Sequence, residues 1–413
     1  MAQNQAMLST AQAAAYNRKY DVSSKVYLLE PWSYPFVTLL TNIGPSISDA
    51  VGNYKGAGIR KTKVMDPQFR WLEDTYAEFS SAGVGTPEEG ATITVADGTL
   101  FSAGDIIRLV TDDTETYVST ATGNTEVCYV ISISGDALTV TRAYDTDGDI
   151  LDIDASAYTV YRLGIAKSEG ADAGEAMTTQ KSGKYNYTEI FETVVELSET
   201  LNATELYTGN EEKYQLRKRA IDHALSIEKQ LWFGHRHKVT SGNDVKRTTG
   251  GIDELNSTMQ AKAGSAAALT ETDFIDFLKD SFQYGSNKKY LFCNGGLLAA
   301  INSFARGAIR LQQPEPGNTS TYGIAVINYV SPFGEVKLIN NPLFDKLGFT
   351  TGSAGFLMDL ETVEYTYLNG RDTTLTKNIQ GNGEDAIKHK FLTECGIKRS
   401  NFERNGYISG YAA

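Results

Sequence analysis

The clearest pattern of apolar and polar positions lies at residues 211–234, EEKYQLRKRAIDHALSIEKQLWFG. At about 100° per residue, Tyr214, Ala220, Ile221, Ala224, Leu225, Ile227, Leu231 and Trp232 share one arc, while Gln215, Lys218, Arg219, Asp222, Ser226 and Gln230 fall opposite. This spacing predicts a single helix of about six turns, or roughly 35 Å. Thr208 stands three residues before Glu211 as the expected cap, Glu211 and Glu212 suit the positive first turn, and Gly234 is the expected stop. His223 is expected on the wet side. Arg217 and Glu228 interrupt the apolar arc and lie too far apart to pair with each other. Two readings stay open for them: ions snorkelling at the edge of a core, or contacts to a neighbouring subunit.

Before this helix the pattern is different. Residues 1–30 are rich in Ala, Gln and Asn and carry too little apolar surface to fold alone, so they read as an arm that orders against something else. Residues 28–45 then crowd Trp32, Phe36, Leu39, Leu40 and Ile43 between prolines, which suggests docking onto a core or a partner. Residues 58–78 alternate in patches around Phe69, Trp71 and Tyr76. Residues 184–197 alternate more clearly, with Tyr185, Tyr187, Phe191, Thr193, Val195 and Leu197 on one side, as expected of a half-buried strand. These two stretches are expected to be the limbs of a long hairpin.

Five β-rich runs between them, ATITV, GDIIRLV, EVCYVISI, ALTVTRAY and YTVYRLG, are divided by Gly, Asn and Asp turns. They predict a small barrel or sandwich inserted at about residues 86–166, with Gly- and Ser-rich flanks. After the helix, residues 235–249 are polar and expected to loop. The remainder alternates helix and strand: a helix capped by Thr270 or Thr272, a strand at 290–293, a helix at 297–304, a hairpin about residues 331–334, and later strands in FLMDL, VEYTYL and FLTECGIKRS. The fold class is α+β.

Charge adds one fact. The 413-residue chain carries a net −13, yet residues 86–170 alone hold fifteen acidic and four basic side chains. A segment with its own charge regime is expected to be its own domain. Overall acidity argues against a free-standing nucleic-acid binder, though not against a protein that merely surrounds DNA. No apolar run approaches the length of a membrane span, no secretory signal is evident, and a cytosol-like compartment is expected. Cys128, Cys293 and Cys395 are widely spaced and are expected to be buried small apolar side chains.

The search for a reaction is nearly empty. Gly83 and Gly85 lack the third glycine of a dinucleotide loop, and Lys184 is followed by Tyr185 where a phosphate loop needs Ser or Thr. His235 and His237 have no third ligand nearby. Asp145, Asp147 and Asp149 are a weak calcium candidate, because Gly148 arrives at the fourth position rather than the sixth. No cofactor and no catalytic residue is expected.

The order of parts is more informative than any motif. PFVTLLTNIG, FRWLEDTYAE, KYNYTEIFETVVELSET, the long helix with GGIDEL after it, YGIAVINYVSPFGEVKLINNPLF and YLNGRDTTLTKNIQGNGED follow in the order seen in tailed-bacteriophage major capsid proteins. The chain resembles the Hong Kong 97-like capsid fold, in a branch whose extended loop carries a β-domain. The resemblance implies an N-terminal arm and docking segment at 1–56, and an extended loop at 57–202 containing the module at 86–166. It further implies a peripheral domain at 203–249 with the spine helix 211–234, an axial domain at 250–376, and C-terminal strands at 377–413 that return to the peripheral domain.

Function would then be assembly. Homo-hexamers and homo-pentamers would close into an icosahedral shell around double-stranded DNA, in the virion, after assembly in the host cytoplasm. Separate scaffold, portal and decoration proteins would be partners, with no membrane and no enzyme activity. Arg217, Glu228, Trp71, Tyr187, Phe191, Trp32 and Phe36 are the candidate subunit contacts. The alternatives are a cellular nanocompartment shell and, more remotely, a carbohydrate- or ligand-binding protein that uses the β-module.

Overall fold

The computed structural model describes residues 36, 60–76, 78–85, 92–111, 125–144, 158–170, 178–206, 209–264, 267–305, 311–312, 326–347 and 353–412. The chain forms two compact units, one of residues 72–182 and one of the remainder. Trp32 and the acidic run Asp145, Asp147 and Asp149 lie outside the described residues, as does the cap position Thr208.

The larger unit holds the predicted long helix, Glu211–Phe233. Asn210 caps it, its side chain accepting from the Lys213 N–H at 2.9 Å. Gly234 follows its last residue in an extended conformation and has no room for a side chain, since a Cβ there would stand 2.4 Å from the Gln230 carbonyl oxygen and 2.7 Å from that of Thr249. Gly251 and Ile252 then fold back on the helix end, donating to the Gly234 and Leu231 carbonyls at 2.6 and 2.9 Å. Gly251 has no room for a side chain either, since a Cβ would meet the Trp232 carbonyl at 2.7 Å.

Beside the helix lies a five-stranded sheet in the order Arg60–Val64, Val363–Leu368, Ala386–Arg399, Glu189–Ser198, with Thr374–Thr376 also paired to Ala386–Arg399. Glu189–Ser198 and Ala386–Arg399 pair antiparallel over ten residues, from Glu189 opposite Cys395 to Ser198 opposite Ala386. Phe191, Val195 and Leu197 on this strand are buried while Glu192 and Glu196 are exposed, so the alternation in the sequence is the alternation of the two faces. The expected hairpin limbs pair through Gln68–Glu73 and Ser182–Tyr187. Arg60–Val64, by contrast, pairs parallel with Val363–Leu368, a partner some 300 residues away in sequence.

The second sheet has seven strands in the order Gln260–Ala263, Gly406–Tyr411, Ser353–Met358, Lys288–Cys293, Glu335–Asn340, Val326–Val330, Leu311–Gln312. The helices Glu271–Ser281, capped by Thr270, and Gly295–Ala305 contribute Phe274, Phe277, Leu278, Leu297 and Ile301 to a core with its strands. Gly406–Tyr411 corrects the expectation that the C-terminal strands all return beside the long helix. It pairs parallel with Gln260–Ala263 and antiparallel with Ser353–Met358, and the Asn405 side chain fixes the turn into it by accepting the Asp359 N–H at 2.8 Å.

Residues 235–249 are a hairpin rather than a loop. His237–Ser241 pairs with Asp244–Thr248 across Gly242, which takes φ +58° in a two-residue turn. No apolar alternation announces these strands because both faces of the hairpin are exposed.

The smaller unit is a six-stranded sheet in the order Ser80–Ala82, Tyr158–Ile165, Asp105–Thr111, Thr125–Ser134, Ala137–Thr141, Thr92–Thr94. Its first and last strands meet: Gly83 bridges Val95, and the Val84 and Ala96 N–H groups donate to the Thr94 and Ala82 carbonyls at 2.9 and 2.8 Å. The sheet is therefore a closed barrel, filled by Ile93, Phe101, Ile107, Leu109, Cys128, Val130, Leu138, Val140 and Val160. Gly83 is required at the seam, since a Cβ would stand 2.1 Å from the Tyr158 ring. The unit spans more than residues 86–166 on both sides. Two of its acids are buried in ion pairs: Glu126 with Arg142 at 2.6 Å and Asp105 with Arg162 at 2.7 Å.

Candidate functional site

Among the described residues the site of interest is where Phe36, from the N-terminal region, meets the long helix. Trp232, in the last turn, is fully buried and sits at the centre of an aromatic cluster. Its ring lies 4.6 Å from that of Phe36, 5.1 Å from Phe292, 4.9 Å from Phe344 and 5.3 Å from Phe356, counted between centroids. These rings come from the N-terminal region, a strand, a short helix and a second strand, so one helix position gathers four distant pieces of chain. Tilted and edge-on pairs of this kind add to the gain from burial.

Glu228, one turn earlier on the same face, is also fully buried. Its Oε1 accepts three hydrogen bonds: from the Trp232 indole N–H at 2.9 Å, from the Asn341 side-chain amide at 3.2 Å, and from the Phe36 backbone N–H at 3.2 Å. A buried carboxylate is costly unless donors surround it, and these three partly replace water. Phe36 is consequently held twice, by its ring on Trp232 and by its N–H on Glu228.

Further along the helix, His223 is buried between two threonines, its Nδ1 3.0 Å from Thr193 Oγ1 and its Nε2 2.8 Å from Thr393 Oγ1. Burial pushes the imidazole pKa below its ordinary value. The expectation that His223 faces water is thus corrected: the sheet formed by Glu189–Ser198 and Ala386–Arg399 covers that side of the helix. At the helix start, Glu212 lies 3.0 Å from Nε2 of His389, whose Nδ1 accepts the Asn378 N–H at 3.2 Å. That acceptance leaves the proton on Nε2, directed at Glu212.

Asn186 joins the returning limb to the helix end. Its amide donates to the Gly250 and Ile397 carbonyls at 3.1 and 2.7 Å, and its oxygen accepts the Gly250 N–H at 2.9 Å. Arg399 reinforces the same corner with an ion pair to Glu254 at 2.9 Å and a bond to the Gly251 carbonyl. Asn186 has no sequence signal beyond its place in an alternating strand. Its importance comes from a partner 211 residues away.

The expected contact residues therefore separate. Glu228 and Phe36 are buried and bonded to each other within their own chain. Phe191 is buried in the core cluster that includes Ile227, Leu231 and Trp232. Trp71 is buried with its ring stacked at 6.1 Å on Phe69. Tyr187 is half-buried, edge-on to Tyr185 at 5.6 Å. Arg217 is exposed on the helix. Among the described residues no group of three or more His, Cys, Asp or Glu side chains is placed to hold a metal, and no helix is long and apolar enough to cross a membrane.

Comparison with known proteins gives the family. A family model described as SU10 major capsid protein matches residues 6–412. The major capsid protein of Pseudomonas phage PaMx41 is 24% identical over 235 residues, covering 54% of this chain and 55% of that one. The chain thus spans about half the length of this curated relative. Among solved structures, the capsid of Myoviridae phage XM1 is similar with a TM-score of 0.45 at 12% identity, covering 96% of this chain and 98% of that chain. The SrpI encapsulin of Synechococcus elongatus PCC 7942 is similar with a TM-score of 0.41 at 11% identity, covering 56% and 76%.

Proposed function

The chain belongs to the SU10 major capsid protein family, and on that premise we propose that it is the shell-building subunit of a tailed phage, self-assembling as hexamers and pentamers into an icosahedral shell around double-stranded DNA. The match over residues 6–412 carries this reading. Its role is structural rather than enzymatic. It acts in the virion after assembly in the host cytoplasm, with separate scaffold, portal and decoration proteins as partners.

In this reading the helix Glu211–Phe233 and its five-stranded sheet are the peripheral domain, and the seven-stranded sheet with its two helices is the axial domain. The limbs around residues 60–73 and 182–198 are the extended loop, and the barrel of residues 72–182 is its insertion. Phe36 on Trp232 is where the arm is tied to its own subunit. Arg217 and Tyr187, exposed or half-exposed on the same unit, are contacts to neighbouring copies.

Negative-stain microscopy of the purified full chain tests the reading. Closed particles of uniform size support it, and a chain that stays monomeric at high concentration overturns it. The content of the particles then separates a phage shell from a nanocompartment: nuclease-protected DNA in particles from infected cells supports the former, and a packaged cargo protein overturns it.

A further inference from the structure

The barrel of residues 72–182 turns Ile107, Leu109, Cys128, Val130 and Val160 into its core, so their neighbours along the same strands face out. Tyr158–Ile165, Asp105–Thr111 and Thr125–Ser134 lie side by side in its sheet. On their outer face the register sets Ile106 between Gly164 and Tyr129, and two residues along it sets Arg108 beside Tyr161. A further ring is laid on each tyrosine. Tyr144 stacks on Tyr129 with centroids 5.3 Å apart and planes at 20°, and Phe79 lies 6.4 Å from Tyr161. Two aromatic pairs therefore stand at opposite corners of one patch, about 10 Å apart across two strand spacings and about 7 Å along the strands. Gly164 lies open beside Ile106, with nothing within 4 Å of where a side chain would start, so the ground between the pairs is shallow on that side.

One of the two pairs is held by a strained turn. Ala143 takes φ +46°, in the left-handed region that an L side chain disfavours. Buried Glu126 fixes it, accepting the Ala143 N–H at 2.8 Å and the Arg142 Nε and Nη2 groups at 2.9 and 2.6 Å. The Tyr144 N–H then donates to the Val127 carbonyl at 2.9 Å. Neither Arg142, Ala143 nor Tyr144 belongs to the barrel core. The outcome of the turn is a ring seated on Tyr129 and still 47% exposed, while Phe79 at the other corner is 66% exposed. Rings held in place and left this open mark a surface on which something else stacks.

Area and charge say what. The patch exposes roughly 400 Å² of ring and aliphatic surface, about half of what one partner gives to a stable protein–protein interface. Residues 72–182 carry 20 acidic and five basic side chains, a balance that repels nucleic acid and other polyanions. Arg108 is exposed between the aromatic pairs and makes no ion pair among the described residues, so its N–H donors are open to a ligand. The chemistry that fits is small, uncharged, apolar on its faces and rich in acceptors at its edges. A sugar has that form: ring C–H groups stack on Tyr and Phe, and hydroxyls accept from the guanidinium.

We propose that this outer face of the barrel binds an uncharged glycan segment of about two or three sugar units, stacked on Tyr144 at one end and Phe79 at the other, with Arg108 donating to its hydroxyls between them. The site lies wholly within residues 72–182 and does not depend on the shell reading, because the purified full chain serves for its test whether or not it has assembled.

Saturation-transfer difference NMR of the full chain is run against linear hexasaccharides of glucose, mannose, galactose and N-acetylglucosamine, with polygalacturonate as the acidic arm. The expected result is transfer to the ring protons of at least one neutral hexasaccharide. That transfer should fall about fivefold or more in Tyr144→Ala and in Phe79→Ala, and about twofold or more in Arg108→Gln. Tyr284→Ala, which removes a similarly exposed ring from the other unit, should leave it unchanged.

No transfer to any of the four neutral sugars overturns the proposal, and so does transfer to polygalacturonate alone. Wild-type transfer in the Tyr144, Phe79 and Arg108 variants overturns it as well, as does an equal loss in Tyr284→Ala, since any exposed ring would then serve. Phe79 lies outside the turn that Glu126 holds. If Tyr144→Ala fails to fold, Phe79→Ala with an unchanged circular dichroism spectrum decides by itself.

Discussion

The carboxylate of Glu228 accepts the backbone N–H of Phe36 across 192 residues of chain, at 3.2 Å. Because the same oxygen also takes the Trp232 indole and the Asn341 amide, Glu228→Ala strands three buried donors. The expected loss is about 3 kcal/mol or more of subunit stability, at roughly 1–3 kcal/mol for each unsatisfied group. Glu228→Gln keeps an oxygen acceptor and is expected to lose about half as much. Guanidine unfolding of the unassembled chain measures both. A Glu228→Ala midpoint equal to wild type would show that the carboxylate is not the arm's anchor.

His223 gives a pH dependence with a defined sign. Burial between Thr193 and Thr393 holds its folded-state pKa below the ordinary value of about 6.5. The unfolded chain therefore binds a proton that the folded chain refuses. Its contribution is complete above about pH 6.5 and is lost as pH falls below that value toward the folded-state pKa, at up to about 1.4 kcal/mol per pH unit. Thermal melting from pH 7.5 down to 5 should fall more steeply for wild type than for His223→Asn. Parallel curves would mean that the imidazole is not the group being titrated.

The buried arc of the long helix is narrower than the sequence suggests. Leu225, Ile227, Leu231 and Trp232 are buried, while Ile221 and Ala224 are half-buried and Ala220 is exposed. An unpaired carboxylate at Ile227 is expected to cost several kcal/mol and to prevent folding, and the same change at Ile221 to cost distinctly less. Expression of Ile227→Asp and Ile221→Asp, followed by circular dichroism, distinguishes the two positions. Equal loss from both would restore the wider arc.

Cys128, Cys293 and Cys395 are all buried, and burial pushes each thiol up to about 12. The thiolate is the reactive form, so none should react with a thiol reagent in the folded chain at pH 8. All three should react once guanidine is added. Rapid labelling of any one without denaturant would expose an opening that the fold does not contain.

What was legible in the sequence was local. The long helix begins at the expected residue and ends within one of it, because acidic residues in the first turn and Gly234 act within a few positions. The five β-rich runs became strands because each carries its own β-branched and apolar residues; of their pairings only that of Thr125–Ser134 with Ala137–Thr141 crosses a two-residue turn, while Thr92–Thr94 meets Ala137–Thr141 from more than 40 residues away. Glu228, Asn186 and Arg60–Val64 were not legible for the opposite reason: apart from Trp232 beside Glu228, their partners lie 64 to more than 300 residues away. The hairpin of residues 237–248 left a faint signal, Val239, Thr240 and Val245 flanking Ser241, Gly242 and Asn243. Without a buried face there is no alternation to read.

On the proposed reading this chain tiles a closed shell with its arm tied to its own spine helix. Cryo-electron microscopy of particles assembled from the purified chain tests it most directly. Rings of six and five subunits closed into an icosahedral shell are expected, with the Phe36 ring of each copy seated on Trp232 of the same copy. A monomer that never assembles would contradict the shell, and density carrying Phe36 into a neighbouring subunit would contradict the anchor.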